Sequence, residues 1–193
     1  MKKRKEIVIP TQAAVERELK REHYKNRYKS TLRSTVYSLL VVAAIAVLVA
    51  TIWLPVLRIY GSSMTPTLNQ DEIVVSVKGS KFETGDVVGL YVGNKLLVKR
   101  IIAGPMDYVM IEEDGTVLVN GVELEEEYVD EKAYGNADIE FPYQVPDNKY
   151  FVLGDHRAVS TDSRMSTVGC IDKEYIVGKI VFRVWPLNAM GKI

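Results

Sequence analysis

The run Val36-Tyr-Ser-Leu-Leu-Val-Val-Ala-Ala-Ile-Ala-Val-Leu-Val-Ala-Thr-Ile-Trp-Leu-Pro-Val-Leu57 decides how this chain of 193 residues divides. None of its 22 positions is charged. As a helix rising about 1.5 Å per residue, it reaches across a hydrocarbon core of about 30 Å. It lacks the polar face that a buried helix of a soluble protein shows toward water. A cleaved signal peptide is the rival reading. The run is too long for that, and Ala44-Ile45-Ala46 lies inside it rather than after it. Trp53 stands near the far end, where an indole favours the lipid–water interface.

Working outward toward the N-terminus, residues 1–34 hold eleven Lys/Arg against four acids, a net charge of +7. The rest of the chain is −7, so an overall neutral composition hides two surroundings. Residues 11–34 read as an exposed charged helix with Thr11 as its N-cap. A basic segment of this size also suits nucleic acid, but its place against the apolar run argues for a membrane flank and no nucleic acid. Basic flanks stay in the cytoplasm. The expected order is a basic cytoplasmic tail (1–34), one transmembrane helix (35–57) and an extracytoplasmic domain (58–193). The protein is thus expected in the cell membrane, crossing once.

Past residue 58 the pattern turns to period two with turn residues. Strand character is predicted for 72–77, 87–92, 95–102, 108–112, 116–119, 122–124, 150–153 and 176–184. Thr84-Gly85-Asp86, Asp114-Gly115 and Asn120-Gly121 supply turns. The acidic stretch from Glu123, on to Asp138, reads as an exposed loop. The expectation is a mainly β protein: a single N-terminal transmembrane helix, then an antiparallel β-rich domain arranged as a meander, with no long helix after residue 58.

Three stretches carry candidate chemistry. The first is Arg58-Ile-Tyr-Gly-Ser-Ser-Met-Thr-Pro-Thr-Leu68, which offers hydroxyls in a loop bounded by Gly61 and Pro66. A serine pair in such a place is by itself most often only a turn. The second is Leu96-Leu-Val-Lys-Arg-Ile-Ile102. Strand alternation puts Leu97, Lys99 and Ile101 on one face and Arg100 on the other. A lysine set among apolar neighbours loses its proton more easily and can act as a base; an ordinary surface strand with one cation per face fits the local pattern equally well. The third is Gly154-Asp-His-Arg-Ala-Val-Ser-Thr-Asp-Ser-Arg164, dense in hydrogen-bonding groups after an apolar strand. Cys170 is the only cysteine, and His23 and His156 are the only histidines. No disulfide can form within the chain, and neither a Cys-rich nor a typical His-based metal site is expected.

Gly-Ser-Ser-Met-Thr-Pro-Thr (61–67), Thr-Gly-Asp-Val-Val (84–88), Lys-Arg-Ile-Ile (99–102) and Gly-Asp-His-Arg-x-x-Ser-x-Asp-Ser-Arg (154–164) occur in that order behind a span. In this the chain resembles the bacterial type I signal peptidases, in a compact form similar to those of Gram-positive bacteria. The resemblance implies a membrane-bound Ser-Lys endopeptidase that removes signal peptides from exported preproteins. It implies a β-rich catalytic core, no cofactor and no metal. Ser63 then resembles the nucleophile and Lys99 the general base. Ser160 resembles the hydroxyl that orients the lysine, and Asp162 with Arg164 the supporting ion pair. Asp155 and Arg100 match further motif positions. Ile59, Met64 and Val98 resemble walls of pockets for small side chains, so cleavage after Ala-x-Ala-like sequences is expected. Preproteins, membrane lipid and the secretion translocon are the implied partners.

The sequence departs from the family in places. Gly61 stands where some members carry a serine that assists the oxyanion hole. Pro105-Met106-Asp107 replaces Pro-Gly-Asp, and His156 stands where asparagine is common. Three other readings stay open on sequence alone. A self-cleaving Ser-Lys repressor would lack the span. An anchored sortase would use Cys170 with His156, and an anchored β-domain would have no activity at all.

Overall fold

The computed structural model describes residues 11–79 and 81–193. The first ten residues of the basic tail, with Lys2–Lys5, lie outside the described residues. One helix, α1 (Gln12–Trp53), takes up the charged segment and the apolar run without a break. The Thr11 carbonyl accepts its first amides, from Ala14 at 2.9 Å and Val15 at 3.1 Å. Every residue of α1 is exposed, including Leu39, Leu40, Ile45 and Ile52. An apolar surface bare on all sides is what a lipid interior covers, and the helix is long and apolar enough to cross one.

The predicted span to Leu57 ends four residues early. Leu54 still donates to Ala50 O at 2.8 Å, but Pro55 has no amide hydrogen to continue the ladder and biases its predecessor away from the helical region. Val56 and Leu57 are already extended.

The unit from Ala50 to Ile193 is built of antiparallel strands. They are β1 (Val56–Arg58), β2 (Ile73–Val77), β3 (Val87–Val92), β4 (Lys95–Ala103), β5 (Tyr108–Ile111), β6 (Val117–Val119), β7 (Val122–Glu123), β8 (Tyr143–Gln144), β9 (Lys149–Leu153), β10 (Ile171–Asp172), β11 (Ile176–Trp185) and β12 (Gly191–Lys192). The larger sheet has the order β1-β2-β11-β3-β4-β9-β10, with β12 also on β11. The smaller has the order β7-β6-β5-β8. Among the described residues after 58, only two short 3-10 turns are helical.

The expected meander survives locally, in the β3–β4 hairpin and the run β5-β6-β7. It fails globally, because the late strand β11 inserts between β2 and β3. That strand has ten residues and pairs along both edges, so it closes the middle of the sheet.

Strands β4 and β9 bury both faces. Ile101, Tyr150 and Val152 join Val88 and Leu90 in one cluster. Ile102, Phe151 and Leu153 meet Val109, Ile111 and Val117 of the smaller sheet in another. A third cluster gathers Leu57, Ile59, Met64 and Leu68 with Val74 and Ile180, and Val98 of β4 packs against it. Strands β1 and β4 are first and fifth in the sheet, yet β4 reaches the cluster that β1 feeds, so the sheet curls. The curl stays open. Among the described residues, strand β1 pairs only with β2, and β4 pairs with β9 only from Arg100 to Ala103. The second edge of β4 is therefore unpaired from Lys95 to Lys99.

Candidate active site

Lys99 lies where alternation along β4 predicts it. Leu97 and Ile101 belong to one apolar cluster, and Lys99 shares their face at 3% exposure. Its Nζ donates to Ser160 Oγ at 2.8 Å, and among the described residues it forms no ion pair. Loss of hydration on burial lowers its pKa from 10.5 to about 8. Asp162 opposes that shift through space, Arg164 reinforces it, and Asp155 adds a smaller opposing pull.

Ser63 sits in the loop after β1, half-buried, between the buried anchors Met64 and Ile59. The loop is a compact turn. Thr65 N donates to Ser62 O at 3.2 Å, and Leu68 N to Met64 O at 2.8 Å. The Thr65 hydroxyl donates to Ser62 O at 2.9 Å, which spends its one hydrogen. His156 Nδ1, 3.0 Å from the same hydroxyl oxygen, is therefore the donor in that contact. His156 N also donates to Ser63 O at 3.1 Å. These bonds tie the serine turn to the 154–164 loop. Gly154 permits the approach, since a Cβ there would fall on Ser160 Oγ and the Ser63 carbonyl. The Ser63 amide donates to no acceptor among the described residues.

The ionic side chains of the third stretch are fully used. Arg164 grips Asp162 with Nε to Oδ1 at 2.8 Å and Nη2 to Oδ2 at 2.9 Å, both side chains at 0% exposure. Arg164 also donates to Tyr134 O at 2.7 Å and Arg157 O at 2.8 Å. Asp162 Oδ2 accepts from Gly154 N at 3.1 Å, so the pair braces the strand exit on which Ser160 depends. Arg100, on the opposite face of β4 from Lys99, makes a second fork to Asp155 at 2.9 and 2.7 Å. Thr67 Oγ1 donates to the same carboxylate at 2.5 Å.

The acidic stretch after β7 is not simply an exposed loop. Leu124, Glu126 and Tyr128 turn inward while Glu123, Glu125 and Glu127 face water. Glu126 forms a buried bidentate pair with Arg157, both side chains at 1% exposure. The Tyr128 ring lies under the Arg100 guanidinium, 3.7 Å from centroid to Cζ, and its hydroxyl donates to Glu126 at 3.0 Å. Burial and the Glu126 charge raise the Tyr128 pKa, so the phenol stays neutral. Sequence reasoning missed these two residues. Alternation with Leu124 signals an inward Tyr128, masked by the charge run, but nothing local sets Glu126 apart from its acidic neighbours.

Two clefts meet at Ser63. One, of about 220 Å³, is walled by Ile59, Met64 and Val98 and lies between the β1 chain and the free edge of β4. The other, of about 470 Å³, holds both Ser63 and Lys99, with Leu97, Val159 and Val168. Cys170 lines neither. It sits in a different depression with Lys149 and Asp172, and burial pushes its thiol up to about 11, away from the nucleophilic thiolate. Among the described residues no group of three or more His, Cys, Asp or Glu is set to hold a metal.

The family model described as signal peptidase, peptidase S26, matches residues 32–185. Signal peptidase IB of Staphylococcus aureus strain COL is 39% identical over 150 residues, which cover 67% of this chain and 77% of that one. Signal peptidase I S of Bacillus subtilis strain 168 is 36% identical over 144 residues, 68% of this chain and 77% of that one. A crystal structure of a signal peptidase I from Enterococcus faecalis covers 52% of this chain and 97% of its own, at 27% identity and a TM-score of 0.44.

The chain belongs to the signal peptidase family. It is accordingly a serine endopeptidase that acts on signal-peptide-bearing preproteins. Two departures of this signal peptidase from the family pattern have structural readings. Gly61 has open space around its Cβ position but a φ of +82°, so a serine there would be strained by the backbone and not by its neighbours. Met106 holds a φ of +69°, the left-handed conformation that glycine adopts freely. The turn is retained by Asp107, whose carboxylate accepts from Gly104 N and Asn120 Nδ2, both at 2.8 Å.

Proposed function

We propose that Ser63 is the nucleophile and neutral Lys99 the general base of a Ser-Lys dyad that cleaves preproteins after small residues. The observation that carries this reading is a buried lysine with no ion-pair partner among the described residues, held by a hydroxyl, in the same cleft as the serine. A lysine with a pKa of about 8 is deprotonated in a tenth or so of molecules at neutral pH, enough to serve as base.

The substrate lies extended in the slot between β1 and β4 and hydrogen-bonds to the free edge of β4 as an added strand. Its P1 and P3 side chains, on the same side of an extended chain, enter the cleft walled by Ile59, Met64 and Val98. The small volume of that cleft favours alanine-sized residues there. Lys99 takes the proton from Ser63 as the hydroxyl attacks the carbonyl of the P1 residue. The free amide of Ser63 faces the developing oxyanion. Lys99 then gives its proton to the leaving amine, and water, deprotonated by the same lysine, releases the acyl group. Ser160 is a positioning residue that aims the amine. Asp162 with Arg164, and Asp155 with Arg100, hold the exit of β9 that leads to Ser160.

The basic flank supports a cytoplasmic N-terminus and an extracytoplasmic catalytic domain. The active site would then stand at the outer membrane surface beside the secretion translocon. Exposed Trp185, Leu187 and Met190 support contact with lipid. Nucleic acid has no part in this reading.

The test is cleavage of one labelled preprotein by the detergent-solubilised full chain. Ser63→Ala and Lys99→Ala are each expected to lower the rate by at least about a thousandfold. Substantial cleavage by either variant would remove the dyad.

A further inference from the structure

The segment between β7 and β8 has no helix or strand of its own. Yet it touches Arg100, Arg157 and Arg164, three buried arginines of the candidate site. The Tyr128 ring lies under Arg100, Glu126 pairs with Arg157, and the Tyr134 carbonyl accepts from Arg164. Gly135, at a φ of +66°, lets the segment close on them, because a Cβ there would fall on Arg164 Nη1 and the Arg157 carbonyl.

Of these contacts, the one to Arg157 leads furthest toward the chemistry. Glu126 takes the guanidinium in a two-point fork, with Nη1 to Oε2 at 3.1 Å and Nη2 to Oε1. The remaining donor, Nε, reaches the Gly154 carbonyl at 3.1 Å. The Gly154 amide is held in turn by Asp162 Oδ2, also at 3.1 Å. Two ion pairs therefore grip Gly154, one by its carbonyl and one by its amide. Ser160 Oγ and the Ser63 carbonyl both close in on this glycine and leave no space for a Cβ.

We infer that Glu126 is a positioning residue for the Ser-Lys dyad. Through Arg157 it fixes the Gly154 carbonyl, and so the place of Ser160 Oγ against Lys99 Nζ. The inference rests on the dyad reading above.

Stability is a weak reason for such a pair. Burial strips both ions of water, and an apolar pair of similar volume often leaves a fold as stable or more so. What a planar two-point fork supplies is direction. With both Nη groups on one carboxylate, the guanidinium plane is fixed and Nε–H points at one acceptor. The carboxylate is itself held, since the Tyr128 hydroxyl donates to Oε1 at 3.0 Å. The charges felt by Lys99 are those of Asp162, Arg164 and Asp155. The route from Glu126 to the amine thus runs through contacts, by way of Gly154 and Ser160.

The test is cleavage of one labelled preprotein by the detergent-solubilised full chain, with kcat and KM measured separately and folding checked by denaturant unfolding. Glu126→Gln keeps the shape and removes the charge. It is expected to lower kcat about tenfold and to leave KM within about twofold. Arg157→Lys keeps a cation for Glu126 but has no Nε–H for Gly154. It should show the same loss, and its result decides if the Glu126 variant does not fold. In a Ser160→Ala background no hydroxyl is left to aim, so either change should cost less than about a further twofold. A brace that served the fold alone would multiply its loss onto that of Ser160→Ala. Full multiplication, a loss confined to KM, or wild-type kcat in both single variants would overturn the inference. So would a Ser160→Ala enzyme at the wild-type rate, since no step would then depend on where that hydroxyl lies. The dyad reading fails by a different result, cleavage in Ser63→Ala.

Discussion

Lys99 and Arg100 are neighbours in sequence, both buried cations on β4, and they are treated in opposite ways. Arg100 receives a carboxylate in a two-point fork, a carbonyl from Gly85 at 2.7 Å and an aromatic ring beneath it. Lys99 receives one neutral hydroxyl. The carboxylate nearest in effect, Asp162, is already committed to Arg164. On one face of the strand the fold neutralises charge and so stiffens; on the other it withholds a partner and so makes charge costly. The pleat of a single strand separates an ion-paired cation from an amine held by one hydroxyl, one residue apart.

The sharpest way to break this contrast is Lys99→Met, which keeps the bulk and removes the amine. Activity on a preprotein is expected to fall by about a thousandfold or more. In the wild type, kcat/KM should climb with pH through a limb near 8, where the free enzyme loses the Lys99 proton. A rate that is flat from pH 6.5 to 9 would mean that Lys99 does not titrate in the catalytic step.

The next pair of effects concerns stability, and the signs should oppose. Asp155→Ala strands the Arg100 charge in a buried site and is expected to cost about 3–5 kcal/mol, read by denaturant unfolding of the domain. Lys99→Met should instead gain about 1–3 kcal/mol at pH 7. The folded pKa of Lys99 is below its unfolded value of 10.5, so the unfolded chain holds the proton more tightly. Below about pH 8 both states are protonated and the fold carries the full penalty, roughly 3 kcal/mol, against which the Ser160 hydrogen bond returns about 1. Wild-type stability therefore rises with pH between about 8 and 10.5, and the advantage of the methionine variant fades over that window. A destabilised Lys99→Met at pH 7 would show that the amine is comfortably solvated after all.

How much of this was readable beforehand follows the range of the interactions. The span, the strand segments and the sidedness of Lys99 and Arg100 depend on neighbours within a few residues, so periodicity exposes them. The insertion of β11 between β2 and β3 is a pairing between residues about a hundred positions apart, and no local pattern encodes it. Strands β8, β10 and β12 have two residues each, too few for any period to register. Ser63, Lys99 and the 154–164 loop could be singled out because the family resemblance tied distant stretches together. His156 on Thr65, and Glu126 on Arg157, were not, because each is one contact across the fold whose partners look ordinary in their own surroundings.

The smallest effects test how Arg100 is held. Tyr128 touches that side of β4 in two ways, through its ring under the guanidinium and through its hydroxyl on Glu126. Tyr128→Phe keeps the ring and removes the hydroxyl, so it should cost about 1 kcal/mol, the worth of one partly buried hydrogen bond to a carboxylate that Arg157 still neutralises. Tyr128→Leu removes the ring as well, and a desolvated cation–π contact adds about 1–2 kcal/mol. Neither change adds a charge or opens the face that Lys99 occupies, so the limb near pH 8 should stay where it is in both variants. If the limb moved with Tyr128→Leu, the two faces of the strand would be coupled, and the separation between Arg100 and Lys99 would be weaker than the pleat of β4 implies.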